Sequence, residues 1–373
     1  MRIVVAPQEF KGSLTATEAA SAIAAGVRAA LPDAEIIEMP MSDGGPGLVD
    51  AMLAARGGQR IETDVHDPLM RPVRAAWAIL AGDDAGTAAI EMAAASGLVL
   101  LRPDERAPLS ATTYGTGELI CAALDRGCTQ IIVGVGGSAT VDAGAGAMQA
   151  LGARLLDASG TDLPPGGATL AKLDRIDLAA RDPRLANARI RVASDVTNTL
   201  CGPTGAAEMF GPQKGASPAD VRTLEAALHH FAEIVGRDCG LDILPLSGGG
   251  AAGGLAAGLA AIGATIETGF DIVAEAVGLD AAIAAADAVI TGEGRLDAQT
   301  AYGKTASRVA ALARKHGKRV AIIAGSVEGD ERAHRETYDI IEVLLQPGSS
   351  VGDAIRDAKE LLVVAAARVA RRF

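Results

Sequence analysis

Five short runs rich in Val and Ile, each ending at a turn and each followed by a stretch of helical character, constrain this chain more than any other feature. "RIVVAP" opens it and "AEIIEMP" follows, while "DAVITGEG", "KRVAIIAG" and "IIEVLLQPG" come near the carboxyl end. Unbroken apolar runs of this length suit the strands of a parallel sheet covered on both faces. Thr15-Ala-Thr-Glu18 reads as a capping box that opens a helix to about Ala30. Helices of roughly 10–18 residues are expected between the later runs, with a last one closing at Arg372. Five such units predict a doubly wound, flavodoxin-like sheet.

Aromatic residues make up only 2% of the chain and apolar residues 49%, so Ala, Val, Ile and Leu must build the core. That composition suits helices layered on sheets. The 45 glycines cluster at the ends of apolar runs, where they read as tight turns rather than as a linker. From Gln59 to Ile90 the pattern changes. "RIETDV", "RAAWAIL" and "TAAIEM" alternate apolar and polar residues, as partly exposed strands do. The fold class expected is therefore α/β with two α/β domains. Residues 1–58 and 285–373 form the flavodoxin-like one, and residues 59–284 form a second inserted into it. The chain then crosses twice between domains and leaves a cleft for a ligand.

The formal charge of −12 and the absence of a basic run argue against a nucleic-acid partner. Met1–Pro7 lacks a secretory apolar region. Ser247–Ile266 is uncharged and long enough to span a membrane, but it is mostly Gly and Ala. The expectation is a soluble, cytoplasmic protein, compatible with an oligomer. Cys121, Cys128, Cys201 and Cys239 lack C-x-x-C spacing, so neither a zinc site nor a disulfide framework is indicated.

Three glycine stretches carry possible chemistry. Gly303-Lys304-Thr305 ends like a phosphate-binding P-loop, yet residue 298, where that motif needs its first glycine, is alanine. Lys304 is then either a cation near a helix start or a solvated lysine. Gly134-x-Gly136-x-x-Ala139 matches a relaxed dinucleotide fingerprint. It reads equally as a structural turn, or as an anion nest made by Gly136, Gly137 and Ser138. Gly248–Gly254 offers amides to a phosphate, or serves close helix packing.

Asp43, Asp142, Asp195, Glu293 and Asp297 all lie at or just beyond the carboxyl ends of expected strands, and Lys11 follows the first. Ligands bind at that edge of α/β sheets. Phosphoryl transfer needs such a set: cations for the transferring group, a carboxylate for Mg²⁺ and a carboxylate to take the hydroxyl proton. Lys11, Lys214 and Lys304 suit the first need, Glu293 or Asp297 the second, and Asp195 the third.

The motifs "FKGSLTATEAA", "SDGGPG", "YGTGELI", "VGVGGSATVDAGAGAMQALGA", "SDVTNTLCGPTGAAEMFGPQKGA", "GAAGGLAAGL" and "TGEGRLDAQTAYGK" occur in this order. In these the chain resembles, nearly end to end, the bacterial glycerate kinases that lack a P-loop. The resemblance implies ATP-dependent phosphorylation of D-glycerate with Mg²⁺, with the 2-phosphate product expected over the 3-phosphate. By matching position it points to Asp43, Asp142, Asp195, Glu293 and Asp297 as the acidic participants; the division of roles expected here makes Asp195, Lys11 and Asp43 catalytic and Glu293 the metal ligand. It implies Gly136, Gly137, Ser138, Asp142, Asn198, Lys214, Asp297 and Lys304 as substrate or phosphate contacts.

The chain departs from the family's usual pattern at Gln8-Glu9, where Asp-Ser is common, at Pro46 and Leu48, which replace an acid and a threonine, and at Val141, Ala143 and Thr197. These changes keep open a kinase for a different small hydroxy acid. An NAD(P)-dependent oxidoreductase using the Gly134 loop, and a ligand-binding sensor without chemistry, are the readings from other classes.

Overall fold

A computed structural model describes residues 1–82, 86–296, 305–328, 334–345 and 350–373. Among these, thirteen strands are numbered here in chain order. The chain divides into two compact units. The first holds Met1–Asp43, Asp50–Gly57 and Val273–Phe373, and the second holds Gly44–Val49 and Gly58–Ile272.

The sheet of the first unit contains β1 (Arg2–Val5), β2 (Glu35–Glu38), β11 (Ala288–Leu296), β12 (Arg319–Val327) and β13 (Ile340–Val343). Its order is β2-β1-β11-β12-β13, and every pair is parallel. Counted within the unit, this is the 2-1-3-4-5 order of a flavodoxin-like sheet, as the five runs predict. Ile3, Val4 and Val5 are fully buried, so "RIVV" is covered on both faces. The helix Ala16–Ala30 begins where the capping box places it. Thr15 Oγ1 accepts from the Glu18 amide at 3.2 Å, and the Glu18 carboxylate accepts from the Thr15 amide at 2.9 Å. Its alanine face joins Ile3, Ile23, Leu362 and Val369 in one apolar cluster.

The second unit is a mixed sheet. Its strands are β3 (Gly58–His66), β4 (Pro72–Leu80), β5 (Thr87–Glu91), β6 (Gln130–Gly134), β9 (Arg189–Ala193) and β10 (Thr265–Glu267), in the order β3-β4-β5-β6-β9-β10. β3, β4 and β5 pair antiparallel, and from β5 onward the pairs are parallel. The alternating pattern of 59–90 thus marks the half-covered antiparallel end. β7 (Arg154–Leu156) and β8 (Arg175–Asp177) form a separate antiparallel pair. Trp77, the sole tryptophan, lies buried in β4 and donates from Nε1 to Thr63 Oγ1 at 2.9 Å.

Two stretches stand apart from the regular layers. Gly44–Val49 packs with the second unit, because the amides of Gly47 and Val49 both donate to Glu91 Oε1, at 3.1 and 2.9 Å. In Ser247–Ile266 the only α-helix is Leu255–Ala261. Ala252, Gly253 and Gly254 have φ of 54°, 69° and 93°, left-handed values that stop a helix from extending backwards. No described helix is long and apolar enough to cross a membrane.

Candidate active site

In the first unit the chain continues past β1 alongside β11. Ala6 N donates to Ile290 O and Gln8 N to Gly292 O, both at 2.8 Å. Residues 8–11 therefore run along the carboxyl-terminal half of β11, where Glu293 is 5% exposed. Lys11 stands against this end, since a Cβ on Gly294 would come within 3.1 Å of the Lys11 amide nitrogen. From the loop after β2, Asp43 Oδ2 accepts from Gln8 Nε2 at 3.0 Å. Burial raises the Glu9 carboxyl above its usual range; the nearby Asp43 charge adds to this and Lys11 opposes it. The sheet thus gathers Lys11, Asp43 and Glu293 at one edge, with Gln8 and Glu9 among them. Buried Tyr338 also feels Glu293: burial and that charge raise its phenol, and among the described residues its hydroxyl has no hydrogen-bond partner. Asp297 and Lys304 lie outside the described residues.

In the second unit the carboxyl ends of β6 and β9 carry the glycine turns. Gly44 rests directly on them. Its φ is +89°, and a Cβ there would stand 2.4 Å from the Ala193 carbonyl oxygen, so only glycine fits. Gly134 and Gly136 meet the same segment, each within 2.7 Å of Gly44 or Gly45 if given a Cβ. The turn continues through Gly137 to Ser138. It is pinned by Leu98 N to Gly137 O and by Ala139 N to Ser96 O, both 2.9 Å.

Lys214 lies behind this turn and is 1% exposed. Its Nζ donates to Ser138 Oγ at 2.8 Å and to the Thr140 carbonyl at 2.7 Å. Burial pulls its ammonium down to about 7, against an upward pull from Asp142. Asp142 is itself fully buried. Its Oδ2 accepts from Thr113 N at 2.8 Å, Thr113 Oγ1 at 2.9 Å, Thr112 Oγ1 at 3.2 Å and Gly146 N at 3.3 Å, and its Oδ1 accepts from Gly144 N at 3.2 Å. Burial raises its pKa despite these donors. Asp142 and Lys214 were expected to touch the ligand. Both side chains are instead enclosed and hold the loop from within, because a carboxylate with five donors and a lysine with two acceptors have little reason to face water.

Asp195 follows β9 on the exposed side, and its Oδ1 accepts from Gly269 N at 2.8 Å. Asn198 donates from Nδ2 to Thr204 O at 2.7 Å, and its carbonyl accepts from Gly250 N at 2.9 Å. The third glycine stretch meets the second: Ala143 N donates to Gly253 O at 3.0 Å, and a Cβ on Gly253 would lie 1.9 Å from Thr140 O. Close packing accounts for Gly253. The Gly134 turn does not open a helix as a dinucleotide turn does, for the next α-helix is Ala145–Ala150.

Residues 3–373 match the glycerate kinase family over almost the whole chain. The protein belongs to the glycerate kinase family. It is 45% identical over 372 residues to a protein named glycerate 2-kinase from Escherichia coli K12, covering 99% of this chain and 97% of that one. A protein named glycerate kinase from Bacillus subtilis 168 is 45% identical over 364 residues, 97% and 95% of the two chains. A Salmonella typhimurium LT2 crystal structure, provisionally assigned as glycerate kinase 2, aligns at TM-score 0.90 and 46% identity, covering 100% of this chain and 98% of its own. As a family member, the chain is an enzyme, a phosphotransferase with an alcohol group as acceptor. Glycerate kinase membership gives no support to the oxidoreductase reading.

Three residues beside the expected set escaped the sequence reading. Glu91 clamps Gly47 and Val49 across 42 residues or more, which no local pattern reveals. Its only signal is an acid ending the apolar run "TAAIEM". Tyr338 gave none. Thr113, which binds Asp142 through both its amide and its hydroxyl, lies just before the motif "YGTGELI".

Proposed function

We propose that this chain transfers the γ-phosphoryl group of ATP to the 2-hydroxyl of D-glycerate, giving 2-phosphoglycerate and ADP. The observation that carries this reading is the full-length likeness to the Escherichia coli protein named glycerate 2-kinase. In the reaction the hydroxyl oxygen attacks the γ-phosphorus, the bond from that phosphorus to the ADP oxygen breaks, and the hydroxyl proton leaves to a carboxylate. Asp195 takes that proton. It is exposed, and the Gly269 amide on its Oδ1 fixes its orientation. Lys11 supplies positive charge for the substrate carboxylate. Asp43, held through Oδ2 by Gln8, orients the hydroxyls. Ser138, with Gly136 and Gly137, offers donors to an anion.

Glu293 fits Mg²⁺: it is a nearly buried oxygen donor in the carboxyl-terminal half of β11, and this ion commonly binds through one or two carboxylates with phosphates and water completing its shell. Bound there, Mg²⁺ would neutralise charge on the phosphates. Lys214 and Asp142 act as positioning residues for the turn.

Phosphorus NMR of a mixture of protein, Mg-ATP and D-glycerate tests the reading, because the 2- and 3-phosphates resolve. A 3-phosphate product, or no product from folded protein, overturns it. A second reading, a kinase for another short hydroxy acid, is favoured by Gln8 on Asp43 and by Leu48, whose Cδ2 would lie 2.7 Å from a Cβ on Gly134. Comparing kcat/KM across a panel of such acids decides between the two.

A further inference from the structure

Lys214 poses a problem the proposed reaction does not answer. A lysine that is 1% exposed is costly to keep charged, yet among the described residues only two acceptors meet its Nζ, the Ser138 hydroxyl and the Thr140 carbonyl. Asp142 is the charged group that acts on it electrostatically. Arg106, from the neighbouring segment, turns its Nη1 to the Gln213 carbonyl at 3.2 Å on the exposed side. Ser138, 8% exposed, forms the outer face of this arrangement. Because Nζ donates to Ser138 Oγ, the Ser138 hydroxyl keeps its own proton for a partner on the far side. An acceptor there is one hydroxyl away from Nζ.

We propose that binding of an anionic group on the Gly136–Ser138 turn is coupled to uptake of one proton by Lys214, which positions the turn through Ser138. This rests on the reading of that turn as an anion site in the kinase. Burial, opposed by Asp142, brings the Lys214 ammonium down to about 7. A negative charge placed beyond Ser138 favours the charged form and draws the proton in. The anion is a phosphate or a carboxylate, which the two substrates supply separately.

Calorimetric titrations of the whole protein with D-glycerate and with Mg-ATP, each in buffers of different ionisation enthalpy, count the protons. The carboxylate of D-glycerate is fully ionised at pH 7–8, so any proton taken up in that arm belongs to the protein. One arm is expected to take up about 0.9 proton per site at pH 8 and about 0.5 at pH 7, and its Kd to weaken towards tenfold per pH unit above 7. Lys214→Met should lose the uptake and the pH slope. Lys214→Arg, charged at every pH used, should bind without either. Trp77 fluorescence confirms that each variant is folded. Uptake below about 0.2 in both wild-type arms, or uptake unchanged in Lys214→Met, overturns the proposal. If in that case Ser138→Ala still weakens binding, the kinase reading stands and only the proton coupling falls. If Ser138→Ala binds both ligands as wild type does, the turn is not the anion site, and this proposal falls with that assignment.

Discussion

Removing the Asp142 carboxylate is the sharpest test of how the second unit holds its glycine turns. In Asp142→Ala three backbone donors, the amides of Thr113, Gly144 and Gly146, lose their acceptor in a region without solvent. The Thr112 and Thr113 hydroxyls can rotate to other partners, but the amides cannot. At about 1–3 kcal/mol for each stranded donor, less some relaxation and water entry, the loss should be about 4 kcal/mol. Asp142→Asn behaves differently. Its amide oxygen in the place of Oδ2 still serves Thr113 and Gly146, and only the Gly144 amide meets a donor, so the cost should be about 2 kcal/mol. Urea unfolding followed by Trp77 fluorescence measures both, because the sole tryptophan sits in β4 and reports on the second unit. An alanine variant within about 1 kcal/mol of wild type, or one more stable than the asparagine variant, would refute the hydrogen-bond account.

Other perturbations separate neighbouring causes. The Lys214 ammonium is lowered to about 7 in the native protein, so above that pH the unfolded chain holds a proton the native one lacks, and the contribution of this lysine to stability should rise with pH. The four cysteines, whose thiols burial raises in the native protein, begin to ionise in the unfolded chain over the same range and pull the other way, so the difference is the test: the wild-type slope should exceed that of Lys214→Met by about 0.7 kcal/mol per unit at pH 7 and about 1.2 at pH 8. Gly44→Ala should cost about 2 kcal/mol more than Gly160→Ala. Both have positive φ, but a Cβ meets the Ala193 carbonyl at Gly44 and nothing within 4 Å at Gly160, so equal losses in Trp77-monitored unfolding would count against the close approach. Thr15→Ala removes the Ala16–Ala30 cap and should cost about 1 kcal/mol, speeding amide exchange in that helix about fivefold.

The elements most legible in the sequence were those whose cause is local. The Val/Ile runs became β1, β2, β11, β12 and β13 in the expected order, because the central parallel strands, covered on both faces, need successive apolar residues, while the edge strands β2 and β13 keep Ile and Val around a few glutamates. Thr15 and Glu18 marked a helix start because each satisfies the other's backbone amide. Alternation over 59–90 revealed three strands but not their antiparallel pairing with parallel neighbours. The site was read less fully. Spacing placed Asp142 and Lys214 near a ligand edge, yet position along a chain does not say which way a side chain points. Both turn inward, where Thr113 and Ser138, distant in sequence, receive them. The backbone acceptor at Thr140 and the Glu91 clamp depend on contacts across tens of residues, so no pattern of residue types could announce them.

The placement of Gly44–Val49 limits how this gene could be taken apart. That hexapeptide is flanked on both sides by residues of the first unit while its amides are fastened to Glu91 of the second. A fragment cloned from Gly58 to Ile272 would leave its own Glu91 facing solvent where two amides belong. Recombination that exchanged the large insert between relatives would mate a new Glu91 and Gly134 with an old Pro46 and Leu48. These positions should therefore be inherited as one block, although more than forty residues of chain separate Leu48 from Glu91.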